Sequence, residues 1–164
     1  MIKTINYLLL LFLLLPVLAF AQTAAELDTL LETQTVTVAR TARFVLGAAE
    51  LLPAEVSGTA ADTAAYELAL SNGWLTKAAN ETATLQDTAF LIMNAFEFEG
   101  GIMYSLFGSP RYAYRELIYR RIIQGRSYAA MTVSGTRLLQ IIGSCLNYTG
   151  ENEELDRVLL GGSN

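Results

Sequence analysis

The chain of 164 residues contains no histidine and a single cysteine, and these two absences exclude several kinds of site. Without histidine there can be no Ser-His-Asp triad and no zinc site that combines His and Cys ligands. The lone cysteine, Cys145, cannot form a disulfide within the chain. Because Cys145 lies in the apolar run 138–146, we expect its thiol to be buried and unreactive.

Basic residues are also few, with 11 Lys and Arg against 16 Asp and Glu and a net charge of −5. A nucleic-acid-binding protein needs a basic surface, so the composition argues against nucleic acid as a partner. The acidic residues at 97, 99, 151, 153 and 154 alternate in a loop or follow one another in a tail. Carboxylate catalysis needs a pair held at a fixed separation across a bond. We therefore predict a protein that is not an enzyme and uses no cofactor or metal.

Residues 1–21 have the pattern of a secretory signal peptide. Lys3 supplies a positive start, 7–15 is apolar, and Ala19-Phe20-Ala21 fits a small-x-small cleavage site. The apolar span of about 15 to 17 residues is shorter than the roughly 20 that a spanning helix needs. We predict an exported protein of the periplasm or cell envelope, with no transmembrane segment in the mature chain. The alternative is an uncleaved membrane anchor.

The stretch 65–95 corresponds to 113–143 at a spacing of 48 positions. Five pairs are identical at this spacing: Ala65 and Ala113, Tyr66 and Tyr114, Thr84 and Thr132, Thr88 and Thr136, and Leu91 and Leu139. Apolar positions also match, among them Phe90 with Leu138, and we expect both side chains to be buried. A related segment, 37–41, lies upstream. Periods of roughly 20 to 50 residues indicate repeated supersecondary units.

The spacing predicts one domain, 22–147, followed by an acidic C-terminal tail, 148–164. The domain would contain three related units, at about 24–52, 60–97 and 111–147, called here units one, two and three. Each unit is predicted to be a short helix, a connector and a longer helix capped by a threonine, namely Thr37, Thr84 and Thr132. Asp87, three residues after Thr84, predicts a capping box.

Two segments refine this organisation. The longer helix of unit two, 85–96, is apolar almost all round, which is typical of a helix at the centre of its domain. Between units two and three, 102–107 predicts one helical turn. Pro110 then suits the first turn of the next helix, because its fixed φ is helical and its missing N–H has no helical partner there.

The three units resemble the S-layer homology (SLH) module, whose pattern is A-x-x-x-L-x-x-x-G-I-I-x-G followed by an I-T-R-A-E-F helix. In unit three the first segment appears as Ala113, Leu117, Arg121, Ile122, Ile123 and Gly125. In unit two it appears as Ala65, Ala69, Gly73, Trp74 and Leu75. The basic residue after the capping threonine is missing in all three units. The string 100–125 is also similar to accessory domains of envelope proteins from bacteria with two membranes.

The resemblance implies an all-α fold of three helix–loop–helix units in a pseudo-threefold bundle, with no sheet. It also implies binding of cell-wall polysaccharide in the grooves between units.

An arginine-rich stretch offers a candidate ligand site in unit three. Within residues 111–126, five arginines are opposed only by Glu116, which gives a local charge of +4 in an acidic chain. Planar guanidinium groups beside aromatic rings suit a sugar or an anionic polymer. The candidate ligand-binding residues are Arg111, Tyr112, Arg115, Tyr119, Arg120, Arg126 and Tyr128.

Two functions follow from this stretch. The first is an envelope module that binds cell-wall polysaccharide, peptidoglycan or a surface glycan through the Arg/Tyr-rich helix. The alternative is a protein-interaction or structural subunit of a periplasmic or outer-membrane assembly, with an envelope protein as partner. A purely structural role is also open, in which the arginines pair with Glu97, Glu99 and the acidic tail while the tyrosines cover the edge of the core.

Overall fold

The computed structural model describes residues 25–53 and 57–161, and the side chains within them except those of 153 and 155–161. Its helices are α1 (25–32), α2 (Val38–Ala48), α3 (Gly58–Ser71), α4 (Leu85–Ala95), α5 (Ile102–Phe107), α6 (Pro110–Tyr119) and α7 (Gly135–Gly161). The described ranges contain no sheet, so the predicted all-α class is confirmed. The predicted signal peptide lies outside the described residues.

The helices pack across the borders of the units. α3 packs mainly against α2, and α6 packs mainly against α4, while α2 also contacts α4 and α7. The first helix of units two and three therefore lies on the capped helix of the unit before it. Seven of the eleven residues of α4 are buried, which confirms the predicted central position of this helix.

The starts of α2, α4 and α7 are joined by a closed ring of three backbone hydrogen bonds. Val36 N–H donates to the Val133 carbonyl at 2.8 Å, Val133 N–H donates to Ala83 at 3.1 Å, and Ala83 N–H donates to Val36 at 2.9 Å. All three residues are buried. Each immediately precedes the capping residue of its helix, so the ring holds three helix starts at one place.

Two of the three predicted caps are confirmed. Thr37 Oγ1 accepts a hydrogen bond from Arg40 N at 3.4 Å. At the start of α4, the Asp87 carboxylate accepts from the backbone N–H of Thr84 at 3.0 Å and from its hydroxyl at 2.6 Å. These bonds satisfy donors that a helix start leaves without an intrahelical partner.

The third predicted cap, Thr132, is wrong. α7 begins at Gly135, and Ser134 Oγ accepts from Arg137 N at 3.3 Å. The helix start is fixed by its contact with α1, because Gly135 N–H donates to the Thr33 carbonyl at 2.9 Å. A Cβ at position 135 would overlap the Leu30 carbonyl, so only glycine fits there.

The spacing of 48 holds for the first half of units two and three. Trp74 N–H donates to the Ala69 carbonyl at 2.9 Å, and Ile122 N–H donates to Leu117 at 3.0 Å. The two matched tyrosines also share a role, because each hydroxyl donates to the connector that follows. These 3.0 Å bonds run from Tyr66 to the Lys77 carbonyl and from Tyr114 to Ser127 Oγ.

In the second half of units two and three, equivalent residues are 50 positions apart. Thr84 immediately precedes α4 as Ser134 immediately precedes α7, so these two residues correspond. Leu138 then matches Thr88, and both side chains are fully buried. Phe90, which we expected to match Leu138 and to be buried, is only half-buried. It lies at the edge of the core, where its ring meets the Tyr104 ring edge-on at 6.5 Å. The connector of unit three is two residues longer than that of unit two, and a gapless alignment hides this insertion.

α7 runs without a break to Gly161, through the predicted start of the acidic tail at 148. In the described ranges, no helix combines the length and apolarity required to cross a membrane. Cys145 lies on the inner side of α7 and is fully buried, as expected. Its burial raises the pKa of the thiol to about 12, which keeps it protonated and unreactive near neutral pH.

Candidate functional site

The predicted Arg/Tyr-rich helix is α6. It begins with Pro110 at the first helical position and buries Ala113 and Leu117. Arg111, Arg115 and Tyr119 are exposed on the other side, with 85% of the Tyr119 surface in solvent. The helix therefore presents these three side chains outward.

Arg120, at the end of α6, has a structural role. Its Nε donates to Glu116 at 3.1 Å, its Nη1 donates to the Tyr148 hydroxyl at 3.0 Å, and its Nη2 donates to the Glu99 carbonyl. The guanidinium carbon also lies 5.3 Å from the centre of the Phe98 ring and 5.4 Å from that of Tyr148. Arg120 thus ties α6 to the preceding loop and to α7, with each of its three nitrogens donating one hydrogen bond within the protein.

The remaining arginines of the cluster have no carboxylate partner among the described side chains. The ion pairs found there are Arg43–Glu26, Arg43–Asp62, Lys77–Asp87 and Arg120–Glu116. Arg111, Arg115 and Arg126 are exposed and belong to none of these pairs. Arg126 and Tyr128 lie in the connector between α6 and α7 rather than on the helix.

A groove between α5 and α6 brings Tyr112 and Arg115 together. Its volume is about 290 Å³, and it is lined by Gly101, Ile102, Met103, Tyr104, Tyr112, Arg115 and Glu116. The Tyr112 ring stacks on the Phe107 ring at 5.4 Å, so one face of this tyrosine is already covered. Tyr119, Arg126 and Tyr128 do not line this groove.

A second groove lies in unit two, between the connector and α4, and it is nearly closed. It is lined by Val38, Trp74, Leu75, Thr76, Lys77, Asp87, Phe90 and Pro110, and its free volume is about 20 Å³. The Lys77 ammonium and the Asp87 carboxylate form an ion pair across it at 2.6 Å. Two large aromatic side chains and this pair occupy the space.

The corresponding groove of unit three, called here the open groove, has a volume of about 370 Å³. It is lined by Ile122, Gln124, Arg137, Gln140, Ile141, Gly143, Ser144 and Asn147. Asp87 corresponds to Arg137 and Phe90 to Gln140 at the spacing of 50, and Lys77 corresponds to Gly125 at the spacing of 48. Unit three has therefore lost both the ion pair and the bulky ring that close the groove of unit two.

Arg137 is the charged group of the open groove. Its Nη2 donates to the Gln124 carbonyl, which orients the side chain. Its Nε is buried and has no hydrogen-bond partner among the described residues. A buried guanidinium N–H without an acceptor is costly. The Arg137 side chain as a whole is partly exposed and lines the groove, so an anion in the groove can contact it.

Sequence reasoning missed Arg137 and the exposure of α5, although it predicted the helical turn at 102–107. The spacing of 48 aligns Arg137 with Ala89 rather than Asp87, which conceals the reversal of charge. α5 exposes 80% of Ile102, 52% of Met103, 70% of Leu106 and 60% of Phe107. In the sequence, α5 is an apolar segment of six residues between glycines. A segment this short does not show by its periodicity whether it is buried or exposed.

No protein-family model, curated protein or solved structure matches this chain. The resemblance to the SLH module therefore stays a prediction. Among the described residues, no group of three or more Cys, Asp or Glu side chains is arranged to hold a metal ion.

Proposed function

We propose that this chain is a non-catalytic module of the cell envelope that binds an acidic glycan of the wall or surface in the open groove of unit three. One observation carries the proposal. The groove that Lys77 and Asp87 close in unit two is open in unit three, where no carboxylate of the described side chains pairs with Arg137.

The chemistry of the open groove fits a sugar that bears a carboxylate. In unit two, Asp87 neutralises the cation of the groove. In unit three, a ligand carboxylate would take that role for Arg137 through charge-assisted hydrogen bonds. The neutral groups that line the groove suit hydroxyl and acetamido substituents: Gln124, Gln140, Ser144 and Asn147. Ile122 and Ile141 are buried and offer an apolar floor to the face of a sugar ring.

A binding role rather than a catalytic one is supported by the groups present. The described lining of the open groove holds an arginine, amides and one hydroxyl, and no carboxylate, cysteine or tyrosine. General acid–base catalysis needs a group that exchanges a proton near the working pH. Arginine stays protonated throughout that range, so it can recognise an anion but cannot shuttle protons.

Two further features support the envelope assignment. Residues 1–21 have the composition of an export signal. The hydrogen-bond ring through Val36, Ala83 and Val133 joins the starts of three helices, which is compatible with a pseudo-threefold bundle. We therefore include a three-unit, SLH-like organisation in the proposal.

The Arg/Tyr side of α6 is not assigned to glycan binding. Arg120 is consumed by intramolecular contacts, and Tyr112 is stacked on Phe107. Arg111 is exposed and does not line the groove between α5 and α6, and Arg115 lines that groove beside the apolar side chains of Ile102 and Met103. The open groove instead combines a concave shape, the partly exposed cationic side chain of Arg137 and several neutral hydrogen-bonding side chains.

Co-sedimentation with purified peptidoglycan sacculi and with acidic wall polysaccharide tests the proposal. Arg137→Ala should weaken binding by about tenfold or more, because a hydrogen-bonded charge pair is lost. Arg40→Ala is the matched control, since Arg40 holds the same third position in α2 and also has a buried Nε without a described partner. Equal losses in both variants, or no loss in Arg137→Ala, would contradict the proposal.

A protein-interaction subunit is the second candidate function. It is favoured by an apolar groove of about 590 Å³ beside α1, α2 and α7, whose lining includes Leu27, Phe44, Ala48, Leu52, Leu139 and Ile142. Apolar grooves of this kind accept the apolar face of a partner helix. In that case Leu139→Gln would remove a crosslink to an envelope protein, while Arg137→Ala would leave the crosslink intact.

A further inference from the structure

α5 presents an apolar surface that the glycan proposal does not use. Four of its six side chains, Ile102, Met103, Leu106 and Phe107, each expose more than half of their surface. They fall at positions i, i+1, i+4 and i+5, so they share one side of the helix. Contiguous exposed apolar residues on a protein surface mark a site that binds a membrane or another molecule.

The contacts of α5 show that it is held in this exposed position. Tyr104 packs edge-on against Phe90 at 6.5 Å, and Phe107 stacks on Tyr112 at 5.4 Å. At the start of the helix, Gly101 N–H donates to the Glu116 carboxylate at 3.2 Å. Both ends of the short helix are thus fixed to α4 or α6, and the apolar side faces outward.

The surface next to α5 is basic. Arg115 lines the same groove as Ile102 and Met103. Arg111 is exposed and lies next in sequence to Tyr112, the residue on which Phe107 stacks. From residue 102 to residue 126, five arginines and one glutamate give a charge of +4, whereas the whole chain carries −5. Of these arginines, Arg115 lies beside the apolar side chains and Arg111 is next in sequence to Tyr112, whereas Arg120 is paired with Glu116.

We propose that α5, together with Arg111 and Arg115, docks this protein on the surface of an anionic phospholipid bilayer. Leu106 and Phe107 enter the boundary between headgroups and acyl chains, which accommodates apolar side chains to a depth of about 5–10 Å. The arginines bind lipid phosphates, and juxtamembrane basic residues are attracted by anionic lipids. Tyr119, which is 85% exposed on the outer side of α6, is the kind of amphipathic ring that settles at this interface.

Charge complementarity selects this occupant. An apolar partner surface alone would not account for the arginines around α5, and the acidic remainder of the chain is repelled by anionic lipid. Only an orientation that brings the basic surface toward the bilayer is favourable, so the charge distribution also fixes how the protein docks. The open groove is not part of this surface, and the proposal does not depend on the glycan.

Vesicle flotation tests the proposal with the exported protein in its natural processed form. The probes are vesicles of phosphatidylglycerol with phosphatidylcholine, and vesicles of phosphatidylcholine alone. We expect binding to the anionic vesicles that weakens as salt rises, because the arginine contribution is screened. Leu106→Ser combined with Phe107→Ser should lower the partition coefficient by about tenfold or more, because two apolar side chains no longer insert.

A second pair of substitutions isolates the charge. Arg111→Ala combined with Arg115→Ala should lower binding to anionic vesicles by roughly 10- to 30-fold and leave phosphatidylcholine binding unchanged. Replacing both residues by lysine should retain binding, since lipid phosphates attract either cation. The matched apolar control is Leu31→Ser with Leu70→Ser, because these side chains are also about half exposed but lie outside α5.

Several results would overturn the proposal. Wild-type protein that stays with the soluble fraction would do so, as would unchanged flotation of the Leu106→Ser, Phe107→Ser variant. If sedimentation instead shows a dimer that this variant dissociates, a second copy of the chain covers α5 and the lipid proposal is wrong. Arg137→Ala should float like wild type, so a failed glycan experiment and a failed lipid experiment can be told apart.

Discussion

The grooves of units two and three share a backbone framework and differ in chemistry. Ala65 and Ala113 are buried alike, and Tyr66 and Tyr114 bond to their connectors alike, because the fold requires those positions. Lys77 and Asp87 close the groove of unit two, whereas Gly125 and Arg137 leave that of unit three open. The positions that the fold leaves free are those in which the two units diverge.

The Lys77–Asp87 ion pair fills the groove of unit two but adds little to the stability of the protein. The side chains of Lys77 and Asp87 are 30% and 14% exposed. Partly exposed pairs of this kind contribute about 1 kcal/mol or less. Asp87 has a second role at the start of α4, where it accepts from Thr84. Unit three could therefore lose the pair at little cost, provided that Ser134 supplied another cap.

The largest expected effect on stability is at the contact between Gly135, at the start of α7, and Leu30 in α1. Gly135→Ala should destabilise the protein by about 4 kcal/mol or more, because the new Cβ overlaps the Leu30 carbonyl and must displace the backbone. Gly143→Ala is the matched control, since nothing lies within 4 Å of its added Cβ. The control should be neutral or stabilising by up to about 1 kcal/mol. Urea denaturation measures both, and similar values would disprove the α1–α7 contact.

The next effect tests the register of the core. Leu138→Ala should lower the free energy of unfolding by about 3 kcal/mol, through lost burial and a cavity, because the side chain is fully buried. Phe90→Ala should lower the free energy of unfolding by less, because Phe90 is only half-buried and water can fill part of the space that its ring leaves. A larger loss of unfolding free energy at Phe90 than at Leu138 would favour an alignment of units two and three at a spacing of 48 residues over one at 50.

The smallest effect tests the helix cap of unit three. Ser134→Ala should cost about 1 kcal/mol, because the hydrogen bond from Arg137 N is lost. Thr132→Ala should change stability by less than about 0.5 kcal/mol, because Thr132 is exposed and lies outside the helix. Thermal denaturation of the two variants compares them directly. A larger loss of stability in Thr132→Ala than in Ser134→Ala would indicate that Thr132 is the helix cap.

Local signals predicted much of the fold. The sequence predicted the capping residues Thr37, Thr84 and Asp87, the position of Pro110 in the first turn of α6 and the apolar character of α4, because these features depend on residues a few positions apart. The start of α7 was not readable, because it is set by Leu30, which is more than a hundred positions away in sequence. One insertion of two residues was enough to misplace Thr132.

The candidate site was less predictable than the fold. The arginines of α6 were visible as a cluster, but sequence alone could not separate Arg120, which is used inside the protein, from Arg115, which is exposed. Arg137 is the only charged residue between positions 135 and 150 of α7, and it becomes noticeable only when its position is matched to Asp87. The exposure of α5 depends on the absence of a packing partner, which no periodicity encodes.

The most direct test of the central claim is the Arg137→Asp variant, measured for both stability and binding. An aspartate at this position should accept from Ser134 as Asp87 accepts from Thr84, so the free energy of unfolding should be unchanged or raised by up to about 1 kcal/mol. Binding to acidic wall glycan should disappear, because the groove would then repel a carboxylate. A variant that still binds the acidic glycan as wild type does would contradict the account.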